Sequence, residues 1–272
     1  MCKERKRIFC VPPAASSAMM YLKWQKYFQK DVEIFPIELP GRGTRFREEN
    51  AESIDELTDQ LVAELEEKMQ EEMYILFGFC SGAIVVFDLY QKIQEKGLRK
   101  PETVILASSR TPDMQIKTKS IIDAPDNMVM QGFKYLFQFK AGTSKESNQM
   151  LQQYIALSNP ESKKEVEEKT DYEILDNMSE DSEVYKKLLS IMQADSSILH
   201  QYEVKDTVHK FECPLVMLYG KYDAIIKKAE IEEWEKYCEN DFTIKDIAGG
   251  HMAVFDNYEE AVCAIKEVLK CD

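Results

Sequence analysis

No apolar run in this 272-residue chain approaches the roughly 18 residues that a bilayer-spanning helix requires, so a membrane span is not expected. A surplus of positive charge is also missing: 35 Lys and Arg face 49 Asp and Glu, for a formal net charge of -14. Nucleic acid needs a basic face that displaces counterions from phosphates, and an anionic membrane surface asks for the same sign; neither is an expected partner. The opening stretch MCKERKRIFCVPP has charge but only a very short apolar run, so no signal peptide is expected and a cytoplasmic placement is. No Cys-x-x-Cys pair occurs among the seven cysteines, at positions 2, 10, 80, 213, 238, 263 and 271. Their odd number and wide scatter predict neither a disulfide framework nor a zinc site, and no metal or cofactor is expected. Internal repeats and Gly/Ser linkers are absent as well. Histidine is scarce, with only His200, His209 and His251 available for imidazole chemistry.

What is present is an alternation of short β-rich apolar runs with longer amphipathic segments, the pattern of βαβ units and a mostly parallel sheet. Strands are predicted at 7–11, 32–37, 73–78, 102–107, 214–219 and 242–247, and helices at 18–29, 53–70, 82–96, 228–238 and 257–269. The predicted class is therefore α/β, as one domain over 1–272. Between 110 and 205 the alternation stops in favour of helical segments rich in Met, Tyr, Phe, Lys and Glu, which reads as a helical lid inserted in that domain. Within it, 128–139 (MVMQGFKYLFQF) has a composition more often found in plain core, and also that of an adaptable acyl pocket. A monomer is expected.

In open α/β sheets the reactive groups lie beyond the carboxyl ends of the strands, and three such ends carry suitable residues. After MYILFG comes the pentad Gly78-Phe79-Cys80-Ser81-Gly82. A nucleophile elbow strains its central residue and brings strand and helix close together, so small residues are required two positions to either side. Gly78 and Gly82 meet that requirement for Cys80, whereas a nucleophile at Ser81 would be flanked by Phe79 and Ala83. Asp223 follows the strand PLVMLYG, and His251 follows FTIKDI through Gly249 and Gly250. Nucleophile, acid and histidine in that order is the α/β-hydrolase arrangement. Three other readings remain open: an inert buried thiol at Cys80, a turn role for His251, and Asp195 of MQADSS in place of Asp223.

The sequence resembles the thioesterase family of the α/β hydrolases, specifically the stand-alone type II editing enzymes of nonribosomal peptide and polyketide synthesis. IFCVPPAASSAMMYLKW resembles that family's first strand and oxyanion loop, and ELPGRGTR resembles its Leu-Pro-Gly-Arg-Gly-x-Arg stretch. ILASSRTP, IMQADSSILHQY, CPLVMLYGKYDA and IAGGHMAVF match later segments in order. The elbow departs from the family's Gly-His-Ser-x-Gly by carrying sulfur. The Pro-His-Ala-Gly-Gly loop is Pro12-Pro13-Ala14-Ala15-Ser16 here, and the lid carries extra residues between Glu146 and Ile174.

The resemblance implies an α/β-hydrolase fold and hydrolysis of acyl or aminoacyl thioesters on the phosphopantetheine arm of an acyl or peptidyl carrier protein. Cys80 would be the nucleophile, His251 the general base and then acid, and Asp223 its orienting carboxylate. The backbone N–H groups of Ser81 and Ala14 would form the oxyanion hole. Arg42 and Arg45 would be either ion-pair partners of the fold or contacts for the carrier arm. Two other functions stay open: transfer of the Cys-bound acyl group to an amine or alcohol, and a binding module without activity.

Overall fold

A computed structural model describes the chain over residues 6–28, 32–114, 182–223 and 225–270. Its strands are β1 (Lys6–Val11), β2 (Val32–Pro36), β3 (Met73–Phe79), β4 (Thr103–Ala107), β5 (Leu215–Gly220) and β6 (Phe242–Ile247), each within a residue or two of its predicted place. They form one parallel sheet in the order β2-β1-β3-β4-β5-β6.

The helices are α1 (Ile54–Glu71), α2 (Ser81–Glu95), α3 (Glu183–Gln201), α4 (Lys228–Glu232), α5 (Ala253–Asp256) and α6 (Tyr258–Leu269). Two predicted helices differ in kind. Ala18–Tyr27 winds as a 3-10 helix, and the predicted 228–238 helix tightens from α4 into a 3-10 turn at Glu233–Tyr237. Both keep an apolar stripe, so the pattern that marks them as helical does not distinguish the tighter winding.

Period-2 alternation on the strands divides the core in two. Phe9, Leu76, Val104 and Met217 face α1, α2 and Trp234 on one side. Ile8, Phe77, Ile105 and Val216 face Tyr21, Trp24, α5 and α6 on the other. The amphipathic spacing of α1 (Ile54, Leu57, Leu61, Val62, Leu65, Met69) buries one stripe, and Ser53 caps its first turn by accepting from the Glu56 N–H at 3.0 Å. Every residue of α2 from Gly82 to Ile93 is buried, which makes it the central helix of its layer.

From β1 the chain moves outward to β2 through the 3-10 helix on one face, then returns over β1 to β3 through α1 on the other. That reversal is a topological switch point, and a ligand crevice is expected beyond the carboxyl ends of β1 and β3. The predicted lid falls largely on residues outside those described, as do the 128–139 segment and the extra residues between Glu146 and Ile174. Of the predicted 110–205 block, α3 is described and lies in sequence between β4 and β5.

Candidate active site

Cys80 stands at the carboxyl end of β3 as the residue immediately before α2. Its backbone has φ 53 and ψ -120, a region sparsely used by residues with a side chain and costing on the order of 1–3 kcal/mol. The turn is held by the Cys80 N–H donating to the Ala107 carbonyl at 2.9 Å and the Ala83 N–H donating to the Cys80 carbonyl at 3.1 Å. Both flanking glycines are sterically required. A Cβ on Gly78 would lie 2.5 Å from the Gly82 carbonyl oxygen, and one on Gly82 would lie 2.6 Å from that of Val11. The elbow therefore presses against the end of β1, where the 12–16 loop begins.

His251 and Asp223 meet across the ends of β5 and β6. The Asp223 Oδ2 lies 2.8 Å from His251 Nδ1, while its Oδ1 accepts the backbone N–H groups of Ile225 (2.8 Å) and Ile226 (3.0 Å). The two turns are joined by the Tyr222 N–H donating to the Gly249 carbonyl at 2.9 Å, and Gly220 permits an approach that leaves only 2.0 Å between a hypothetical Cβ and the Gly250 oxygen. Gly249, at φ 138, supplies the left-handed step that brings the chain back toward β5. On its other side His251 faces the Cys80 sulfur, and Phe79 packs its ring at 5.4 Å from the imidazole.

Burial works against charge on His251, yet its hydrogen bonds to Asp223 and Cys80 outweigh that effect and push its pKa up to about 10. Burial likewise works against the Asp223 carboxylate, but the imidazole and the two backbone donors hold it below its ordinary range. At neutral pH the imidazole is thus an imidazolium between an anionic carboxylate and a sulfur. That arrangement places a proton beside the sulfur, ready for a departing group.

The remaining sequence-derived candidates are placed as follows. Ser81 opens α2, where first-turn N–H groups have no intrahelical acceptor. Ala14 lies in the 12–16 loop, but its N–H donates to the Ser81 hydroxyl at 2.5 Å. Asp195, the rival to Asp223, is engaged away from His251: both its oxygens pair with the Arg42 guanidinium at 2.6 Å, and Oδ2 accepts the Ala15 N–H at 2.7 Å. Arg45 instead pairs with Glu48 and Glu64. His200 and His209 are not part of this constellation; the His209 N–H donates to Gln91. Phe79, the Ser81 hydroxyl and the Arg42–Asp195 pair are features that sequence reasoning did not assign. Each depends on contacts between distant segments, 153 residues apart for Arg42 and Asp195.

Three comparisons bear on this site. A family model described as "Thioesterase domain" matches residues 6–268. The gramicidin S biosynthesis protein GrsT of Aneurinibacillus migulanus is 23% identical over 256 residues, covering 94% of this chain and 86% of the relative. Thioesterase PikA5 of Streptomyces venezuelae is 25% identical over 263 residues, covering 97% and 80%. Among solved structures, ClbQ from the colibactin NRPS/PKS pathway matches with a TM-score of 0.76 at 20% identity, over 98% of this chain and 97% of that one. The fold is that of the α/β-hydrolase thioesterases.

Proposed function

The chain belongs to the thioesterase domain family and is a thioester hydrolase, and from that premise we propose that it clears acyl or aminoacyl groups from the phosphopantetheine thiol of carrier proteins in nonribosomal peptide and polyketide synthesis. A type II editing role is supported by the likeness to GrsT, PikA5 and ClbQ. Hydrolysis is preferred to acyl transfer because PikA5, like the matching family model, is named a thioesterase.

The single observation that carries the catalytic reading is the continuous chain from Asp223 through His251 to Cys80 at a strained elbow. In the proposed cycle the Cys80 thiolate attacks the thioester carbonyl, forming a new C–S bond and moving the carbonyl π pair onto oxygen. The pair returns as the C–S bond to the pantetheine arm breaks, and the departing thiolate takes the His251 proton. One thioester has replaced another, so this half-reaction is close to balanced in free energy. Neutral His251 then takes a proton from water as the water oxygen attacks the acyl-Cys80. Collapse expels the Cys80 thiolate, releases free acid and restores the imidazolium. Asp223 orients the ring and stabilises its charge throughout.

The test is intact-protein mass measurement after mixing the enzyme with a carrier protein bearing an acetyl group on its phosphopantetheine arm. The expected result is an acetyl increment on Cys80 at early times and free acetate later. Cys80→Ala should lose the increment and slow release by about ten-thousand-fold or more.

A further inference from the structure

The 12–16 loop has fewer donors to offer an oxyanion than its position implies. Pro12 and Pro13 have no N–H. The Ala15 N–H is given to the buried Asp195 carboxylate at 2.7 Å, and the Ser16 N–H to the Pro13 carbonyl at 3.3 Å. The Ala14 N–H is given to the Ser81 hydroxyl at 2.5 Å. Every amide hydrogen of residues 12–16 is therefore committed within the protein. One hydrogen in this set is still to be given. The Ser81 oxygen accepts from Ala14 and keeps its own O–H, on the residue directly after the nucleophile.

We propose that the Ser81 hydroxyl is itself an oxyanion donor, with Ala14 acting behind it. This rests on Cys80 being the nucleophile and adds a catalytic side chain to that reading. As the Cys80 sulfur bonds to the thioester carbon and the π pair moves onto oxygen, the Ser81 O–H and the Ser81 backbone N–H both donate to that oxygen. The Ala14 N–H polarises the hydroxyl from the far side, and hydrogen bonds in such a chain strengthen one another. When the pair returns and the old C–S bond breaks, the hydroxyl keeps its own proton. No bond to Ser81 forms or breaks. The same hydrogen bond links the 12–16 loop to the oxyanion through Ser81, so the loop itself needs no free amide. Ala15 takes the left-handed step, at φ 55, that a glycine would otherwise take, and Asp195 anchors its amide.

The experiment compares two reactions of the same thiol in the full chain with Ser81 intact and in Ser81→Ala. Hydrolysis of an acetylated carrier protein passes through an oxyanion; alkylation of Cys80 by iodoacetamide displaces iodide and forms none. The proposal expects kcat to fall by between about tenfold and a hundredfold, short of the full loss of a donor because the Ala14 N–H remains. KM and the rate of Cys80 alkylation should stay within twofold. Loss of hydrolysis and alkylation together would show a structural role for Ser81 at the elbow and overturn the proposal. So would unchanged or faster hydrolysis, which would make the hydroxyl a spectator or a plug over the Ala14 donor. Failure of the underlying reading looks different: Cys80→Ala would then still hydrolyse the substrate, whatever residue stands at 81.

Discussion

Cys80 differs from the other described cysteines in its neighbours more than in its exposure. Burial pushes the thiol of Cys10 up well above its ordinary value and that of Cys213 up to about 12. Cys263 is exposed, but it lies beside the Glu267 carboxylate instead of an imidazole. Iodoacetamide at neutral pH should therefore modify Cys80 first, as read by peptide mapping, and His251→Ala should slow that labelling by removing the base beside the sulfur. Labelling of Cys263 while Cys80 stayed intact would contradict a reactive thiolate. The same groups set a pH signature. His251 is raised from 6.5 to about 10, so its stabilising contribution is complete below pH 6.5 and is lost as pH rises toward 10. Asp223 is lowered from 3.8, so its contribution is complete above pH 3.8 and is lost as pH falls through its folded value. The gap in Tm between the native chain and His251→Gln should be widest between those limits and close on the alkaline side. A gap that widened toward pH 10 would contradict the assigned charge on His251.

Elements hold these residues together through close approaches that glycine permits and through one buried ion pair. A methyl group at Gly220 would meet the Gly250 oxygen at 2.0 Å, so the ends of β5 and β6 must part to admit it. Gly220→Ala should cost about 1–3 kcal/mol in denaturant unfolding and lower kcat by separating Asp223 from His251. Unchanged activity at full stability would show that the two turns tolerate a wider spacing. The Arg42–Asp195 pair joins α3 to the ELPGRGTR stretch and, through Ala15, to the loop beside the nucleophile. Both side chains are almost fully buried, so Asp195→Ala should cost about 3–5 kcal/mol by removing the carboxylate that both guanidinium nitrogens bond. The pair replaced together, as Arg42→Met with Asp195→Leu, should recover much of that stability but not the activity, because the Ala15 amide has still lost its acceptor. Recovery of both would limit the pair to a packing role.

At the scale of the whole molecule, most of the frame was legible in the sequence because it rests on short-range patterns. β-Branched and aromatic runs marked the six strands of the described residues, and the glycine spacing around Cys80 and before His251 reported backbone contacts that the structure contains. The winding of 18–27 and 233–237 was not legible, since 3-10 and α segments share an apolar stripe at this length. Nor were the Ser81–Ala14 and Asp195–Arg42 contacts, whose partners lie 67 and 153 residues apart and meet only when the sheet is assembled. Asp195 shows the consequence: as a sequence feature it competes with Asp223, and only the fold shows it turned toward Arg42 and Ala15.

If the acyl group passes through Cys80 on its way to water, an acyl-enzyme can be trapped before product forms. The enzyme is mixed with an acetylated carrier protein, quenched in acid within the first turnover, and digested for peptide mass analysis. An acetyl thioester is expected on the peptide carrying Cys80, formed before free acetate accumulates and absent in Cys80→Ala, with longer persistence in His251→Ala once formed. Acetate release at the native rate by Cys80→Ala, or an acetyl ester found on Ser81 instead, would contradict it.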